Sequence, residues 1–285
     1  MKRQGVPAAD ELLARAHALA DEGDWEGMAE LLREHIQDFE DDPAVQCWLG
    51  VAERELGLEG LAYERFKRAL ALEPTDPYVL ATAGNAIAAF DDPDAERALR
   101  AAALTAPEVP LARLMYGAYL AREGFLEDAL RELGAARELD PDDAQIAYEL
   151  GVAHALAGAL EAAVDALAEA SRLDPDDGWA RVVLGLALLE SGREDEALVE
   201  LLAGARLRDD DVDAQLVAAL TSAALGHADA AYEMLERARL GAGAGDVATV
   251  EDVEERIDSG DEAAADYLRE DFAPDLFRSR LRVRP

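Results

Sequence analysis

Residues 144–177 read AQIAYELGVAHALAGALEAAVDALAEASRLDPDD, two helices and their punctuation in 34 positions. Ala147, Leu150, Gly151 and His154 fall at i, i+3, i+4 and i+7, one face of a first helix. Gly158 ends that helix, as glycine does where the backbone turns left-handed. Ala163, Leu167 and Ala170 then line a second helix. Asp174-Pro175 stops it, because proline disfavours helical conformation in the residue before it. Gly151 and Ala163 are small where the two axes would cross. Just upstream, ELDPDDA (138–144) has the form of an acidic cluster. It reads instead as a boundary: Pro141 stops one helix, and Asp142-Asp143 sit at the start of the next, where carboxylates favour the positive N-terminus.

The unit recurs. Gly50, Gly84, Gly117, Gly151 and Gly185 are spaced 34, 33, 34 and 34, and Gly124, Gly158, Gly192 and Gly226 are each 34 apart. Ala62, Ala129, Ala163, Ala197 and Ala231 keep the same grid. A fixed period of this length is the mark of a repeat array. Seven units result: 9–42, 43–76, 77–109, 110–143, 144–177, 178–211 and 212–245. Departures are local. Unit 77–109 is one residue short, with DDPD at 91–94 in place of the turn glycine, and Asp92-Pro93 there serves as a helix N-cap and first turn. Unit 178–211 has Gly204 at the usual alanine and Asp209 in place of proline.

These residues resemble the tetratricopeptide repeat (TPR) family over 9–245. Unit 43–76 meets its pattern with Leu49, Gly50, Ala62, Phe66, Ala69 and Pro74. Unit 110–143 does so with Tyr116, Gly117, Gly124, Ala129, Leu133, Ala136 and Pro141. The resemblance implies an all-α fold, a right-handed superhelical α-solenoid of helix pairs. Residues 1–8 precede it. Residues 246–272 read as a degenerate helical cap: Val247, Val250, Val253 and Ile257 form an amphipathic stripe, and a short helix is expected from about Glu262 to Glu270.

Composition narrows the function. The net charge is −35, with lysine only at 2 and 67, which disfavours nucleic acid and anionic membranes and favours basic partners. No apolar run reaches 18 residues, so no transmembrane helix is expected. Charges in the first fifteen residues argue against a secretory leader. A single cysteine, Cys47, excludes an intramolecular disulfide, and a cytoplasmic protein is the simplest expectation. Four histidines lie in four units without ligand spacing, so no metal or cofactor is expected, and no catalytic constellation is legible. The expectation is a protein that is not an enzyme.

The binding signal lies in the first helices, where a second apolar stripe runs beside the packing stripe. In unit 178–211 it holds Trp179, Val182, Leu186 and Leu189, and in unit 144–177 Tyr148 and Val152. A helix apolar on two faces is buried on both or presents one to a partner. In TPR proteins these positions face a concave groove that takes peptides. The resemblance therefore implies a groove of Trp48, Tyr78, Asn85, Leu111, Leu114 and Met115, continued by Tyr148, Val152, Trp179, Val182 and Leu186. The alternative, packing between neighbouring first helices, stays open for the aliphatic members. Asn85 matches one position of the family's clamp for acidic C-terminal peptides, but its basic residues are missing, so an apolar or basic helix or extended segment is the expected partner.

The last stretch, APDLFRSRLRVRP (273–285), carries Arg278, Arg280, Arg282 and Arg284 at alternate positions. Extended, it sets four guanidiniums on one side. It reads as a tail that docks on the acidic array, docks on an anionic partner, or frays. The functional expectation is a scaffold or adaptor, with a regulatory subunit of a separate enzyme or an assembly chaperone as alternatives.

Overall fold

The computed structural model describes residues 8–282. It is all-α, and no strand occurs among the described residues. Helices α1 (Ala9–Asp21), α2 (Trp25–His35), α3 (Pro43–Glu55), α4 (Glu59–Ala71), α5 (Pro77–Ala88), α6 (Asp94–Thr105) and α7 (Pro110–Arg122) come first. Then follow α8 (Leu126–Leu139), α9 (Ala144–Leu156), α10 (Leu160–Leu173), α11 (Gly178–Glu190), α12 (Glu194–Leu207), α13 (Val212–Ala224) and α14 (Ala228–Gly241). These fourteen pair as the tandem helical repeats of an α-solenoid. Two compact units divide inside α7, one up to Tyr119 and one from Leu120 onward.

The aspartates of the boundary motif are helix caps. Asp42, Asp76, Asp143, Asp177 and Asp211 each accept a backbone N–H of the first helix that follows, at 2.8–3.1 Å. Each satisfies an orphan donor and places a negative charge at the helix dipole's positive end. The other end of the first helix is closed by glycine. Gly158 takes φ +73, its N–H donates to the Ala155 carbonyl, and that of Ala159 donates to the His154 carbonyl.

Within a pair, glycine sets the approach. A Cβ on Gly185 would stand 2.5 Å from Leu201 Cγ and 3.3 Å from the Ala197 carbonyl oxygen. At the far end of the same pair, a Cβ on Gly204 would stand 2.8 Å from the Gly178 carbonyl oxygen, so the usual alanine does not fit there. The start of α11 thus meets the end of α12, and the two run antiparallel.

Unit 77–109 replaces the turn glycine with Asp91, which takes φ +52 itself. Asp92 then caps α6 through the Asp94 N–H (2.8 Å), and the helix begins at Asp94. Asp92 is tied down from α4: the Tyr63 hydroxyl donates to it at 2.7 Å, and Lys67 Nζ reaches it and Asp94. The Tyr63 hydrogen bond foremost, with the Asp94 N–H and Lys67, holds this carboxyl down at about 2.

After α14 come α15 (Val247–Asp258) and α16 (Asp261–Tyr267), the latter starting one residue before the sequence expectation. It does not stop near Glu270. A π-helical turn, Leu268–Phe272, carries it directly into α17 (Ala273–Arg282). Residues 273–282 are therefore helical and not an extended tail. Ala273, Leu276, Phe277, Arg280 and Leu281 recur at i, i+3, i+4, i+7 and i+8 and are all buried. That 3.6-residue period was masked by the alternation of the arginines.

Candidate functional site: the first-helix faces

Helices α9, α11 and α13 are apolar almost all round, and in the unit from Leu120 they are buried on both sides. One side packs against the second helices. The C-terminal helical run covers much of the other: α16 and the π turn lie on α13, and α17 lies on α11 and α9. Tyr148, Val152, Trp179, Val182 and Leu186 belong to one buried cluster with Leu276, Phe277 and Leu281. The groove positions of this unit are thus occupied by the chain itself.

The polar centre of the contact is built from three elements. Trp179, on the first turn of α11, donates from Nε1 to the Tyr148 hydroxyl of α9 at 2.7 Å. Burial pushes the Tyr148 phenol well above the usual tyrosine range, so it stays neutral as an acceptor. Arg280 of α17 sets its guanidinium 4.4 Å from the centroid of the Trp179 ring. Its Nη2 also donates to Asp211 Oδ1 at 2.6 Å, and Asp213 lies 3.8 Å away. The Asp211 side chain is only 7% exposed; the same Oδ1 caps α13, while the buried Oδ2 accepts no hydrogen bond and has Arg208 Nε 3.7 Å off. A charge-assisted hydrogen bond and a cation over an aromatic face therefore converge on one arginine.

The four tail arginines have different fates. Arg280 is buried, Arg278 is exposed and pairs with Asp275 on its own helix, and Arg282 is exposed. Arg284 lies outside the described residues. The one-sided row of guanidiniums does not form, because a helix turns about 100° per residue and rotates alternate positions apart. Upstream, Arg269 pairs with Glu194 (2.7 Å), and Arg256 stacks 4.9 Å from the Tyr267 centroid.

In the unit up to Tyr119 the expected groove residues are more open. Tyr78 is 52% exposed, and Leu111 and Met115 are partly buried against Ala81, Ala102 and Ala112. Trp48 is half-buried, edge-on to His17 at 4.4 Å. Asn85 is half-buried, and its Oδ1 accepts no hydrogen bond from the described residues. Leu114 is a core residue, 1% exposed. Cys47 is buried too, and desolvation, with Asp76 nearby, pushes its thiol up to about 12.

The sequence matches tetratricopeptide-repeat profiles over residues 118–178 and 154–222. Residues 118–222 are tetratricopeptide repeats. No curated protein matches it in sequence. Among solved TPR and related structures, a chain of the APC/C hetero-tetramer Cut9–Hcn1 superposes with a TM-score of 0.71 at 17% identity, over 85% of this chain and 48% of that one. A tetratricopeptide repeat protein from Parabacteroides merdae gives 0.57 at 12% identity, over 90% of this chain and 98% of that one. PilF of Pseudomonas aeruginosa gives 0.57 at 16%, over 68% and 89%. At these identities the likeness is one of fold. TPR repeats are interaction scaffolds for proteins and peptides, and this chain shares that general role. No helix among its described residues is long and apolar enough to cross a membrane.

Proposed function

We propose that this TPR chain is a non-enzymatic cytoplasmic adaptor that holds an apolar, basic helix of a partner protein against its first-helix faces. The observation that carries the reading is α17 itself, an amphipathic helix with a buried arginine lying across α11 and α9. A face that accepts such a helix from its own chain has the chemistry to accept one from another. The strongly acidic composition supports a basic partner by steering its approach. In the unit up to Tyr119, the exposed Tyr78 with Leu111 and Met115 adds a second patch of the residue types favoured at interface cores.

The test is capture from native lysate with the full chain and with a Tyr148→Ala/Trp179→Ala variant. One partner held stoichiometrically by the first and lost from the second supports the reading. Identical sets of proteins on both would sink it.

A further inference from the structure

We propose that the α9–α11 face is an arginine-reading helix site, and that α17 is its exchangeable occupant, displaced by a partner helix that repeats the pattern of Ala273, Leu276, Phe277, Arg280 and Leu281. This rests on the adaptor reading and names the feature that such a partner must carry.

The floor of the site is held together without α17. Trp179 and Tyr148 satisfy each other through a hydrogen bond between α11 and α9. Asp211 is fixed by capping α13 through the Ala214 N–H. When α17 leaves, the ring and the carboxylate keep their positions, so the vacated site is preorganised for another guanidinium. The buried Asp211 Oδ2 accepts no hydrogen bond but has Arg208 Nε 3.7 Å away, and Arg208 also lies 5.5 Å from the Trp179 centroid, so this resident arginine keeps carboxylate and ring oriented beside the place Arg280 fills. Lysine offers a point charge and no flat face to lay on indole, so arginine is selected over lysine.

The occupant, in contrast, is held by one face. Half of its ten residues are buried, and among the described residues Arg280 makes its one side-chain hydrogen bond to the repeats. The same arginine makes its ion pairs to the repeats, with Asp211 and, at 3.8 Å, Asp213, whereas the pair of Arg278 with Asp275 is internal and moves with the helix. It is joined to α16 through a π turn, where the regular helical hydrogen-bond ladder changes register. A tethered helix of this kind competes with a partner at a high effective concentration, so it sets a threshold for binding.

The experiment uses the full chain. A Leu276→Ser/Phe277→Ser variant releases α17, and a fluorescent peptide of residues 268–285 is titrated onto it and onto the wild type. The expected result is saturable binding to the released variant and at least about tenfold weaker binding to the wild type, where the tether competes. A peptide carrying Arg280→Lys is expected to bind about tenfold more weakly than the native peptide, on losing the stacked fork. If no peptide binds the folded variant, the adaptor reading of this face fails with the proposal. If both peptides bind it equally, arginine reading alone fails. Hydrogen exchange on the wild type is the second measurement: amides of 273–282 are expected to open together, well before those of α9 and α11. Exchange of 273–282 only with unfolding of the whole unit overturns exchangeability. A concentration-dependent dimer of the wild type that the released variant cannot form assigns α17 to a second copy, and overturns the partner assignment.

Discussion

Tyr148→Phe isolates the hydrogen bond on which the covered face is built. The chain has three tryptophans, and Trp25→Phe/Trp48→Phe leaves Trp179 as the single indole, a probe confined to the unit from Leu120. Removing the hydroxyl leaves the Trp179 N–H, now bonded at 2.7 Å, without its acceptor in a site where both side chains are buried. An orphaned neutral donor of this kind costs about 1–3 kcal/mol. For a unit of this size the cost lowers the midpoint by about 2–4 °C per kcal/mol. Trp179→Phe, read by circular dichroism against Tyr148→Phe in the same three-tryptophan chain, loses that bond and also ring volume, so it costs more. The double variant recovers about 1 kcal/mol of the summed losses, because neither partner is then left alone. Urea unfolding of the three variants measures the cycle. A Tyr148→Phe cost under about 0.5 kcal/mol, or strict additivity, refutes the reasoning.

Three further outcomes follow from the same geometry. Gly185→Ala drives a Cβ to 2.5 Å from Leu201 Cγ and lowers the stability of its unit by about 1–3 kcal/mol, whereas Gly60→Ala, in a helix with open space, raises that of the other unit by about 0.5–1 kcal/mol; equal effects in thermal melts contradict the crossing geometry. Cys47, with its thiol pushed up to about 12, reacts with iodoacetamide at pH 8 only as fast as the unit up to Tyr119 opens, so labelling at the rate of a free thiol in native buffer excludes its burial. Asp92 is depressed in the folded state, so its contribution is complete above the ordinary 3.8 and is lost as pH falls toward about 2. Asp92→Ala removes that component along with the α6 cap, at about 1 kcal/mol near neutral pH, and flattens the acid dependence over this window; an unchanged acid profile would show that the carboxylate is not held down.

Local chemistry wrote the repeats plainly. Pro141 stops, Asp143 caps and Gly158 turns, each through contacts with chain neighbours a few residues away, so a 34-residue period exposes them. The small residues at crossings were legible for the same reason: Gly151, Gly185 and Ala163 must be small wherever two axes meet. Even Gly204, which departs from the pattern, answers to a backbone contact within its own pair.

The fate of the first-helix faces was of another kind. Trp179 and Tyr148 read as apolar positions on a second stripe, and nothing local distinguishes a stripe that awaits a partner from one already covered. What covers it is Phe277 and Leu281, some hundred residues further on. Their helical period became visible as a docked face only once α11 and α9 supplied the surface. The arginines showed the same division. Their charge was readable from sequence, while burial of Arg280 beside Asp211 and exposure of Arg278 depend on how a helix sets successive side chains around its axis against a neighbour. Backbone signals are short-ranged and repeat with the unit, so sequence determined the architecture. Pairing of distant apolar surfaces is long-ranged and occurs once, so tertiary structure alone decided what occupies the face.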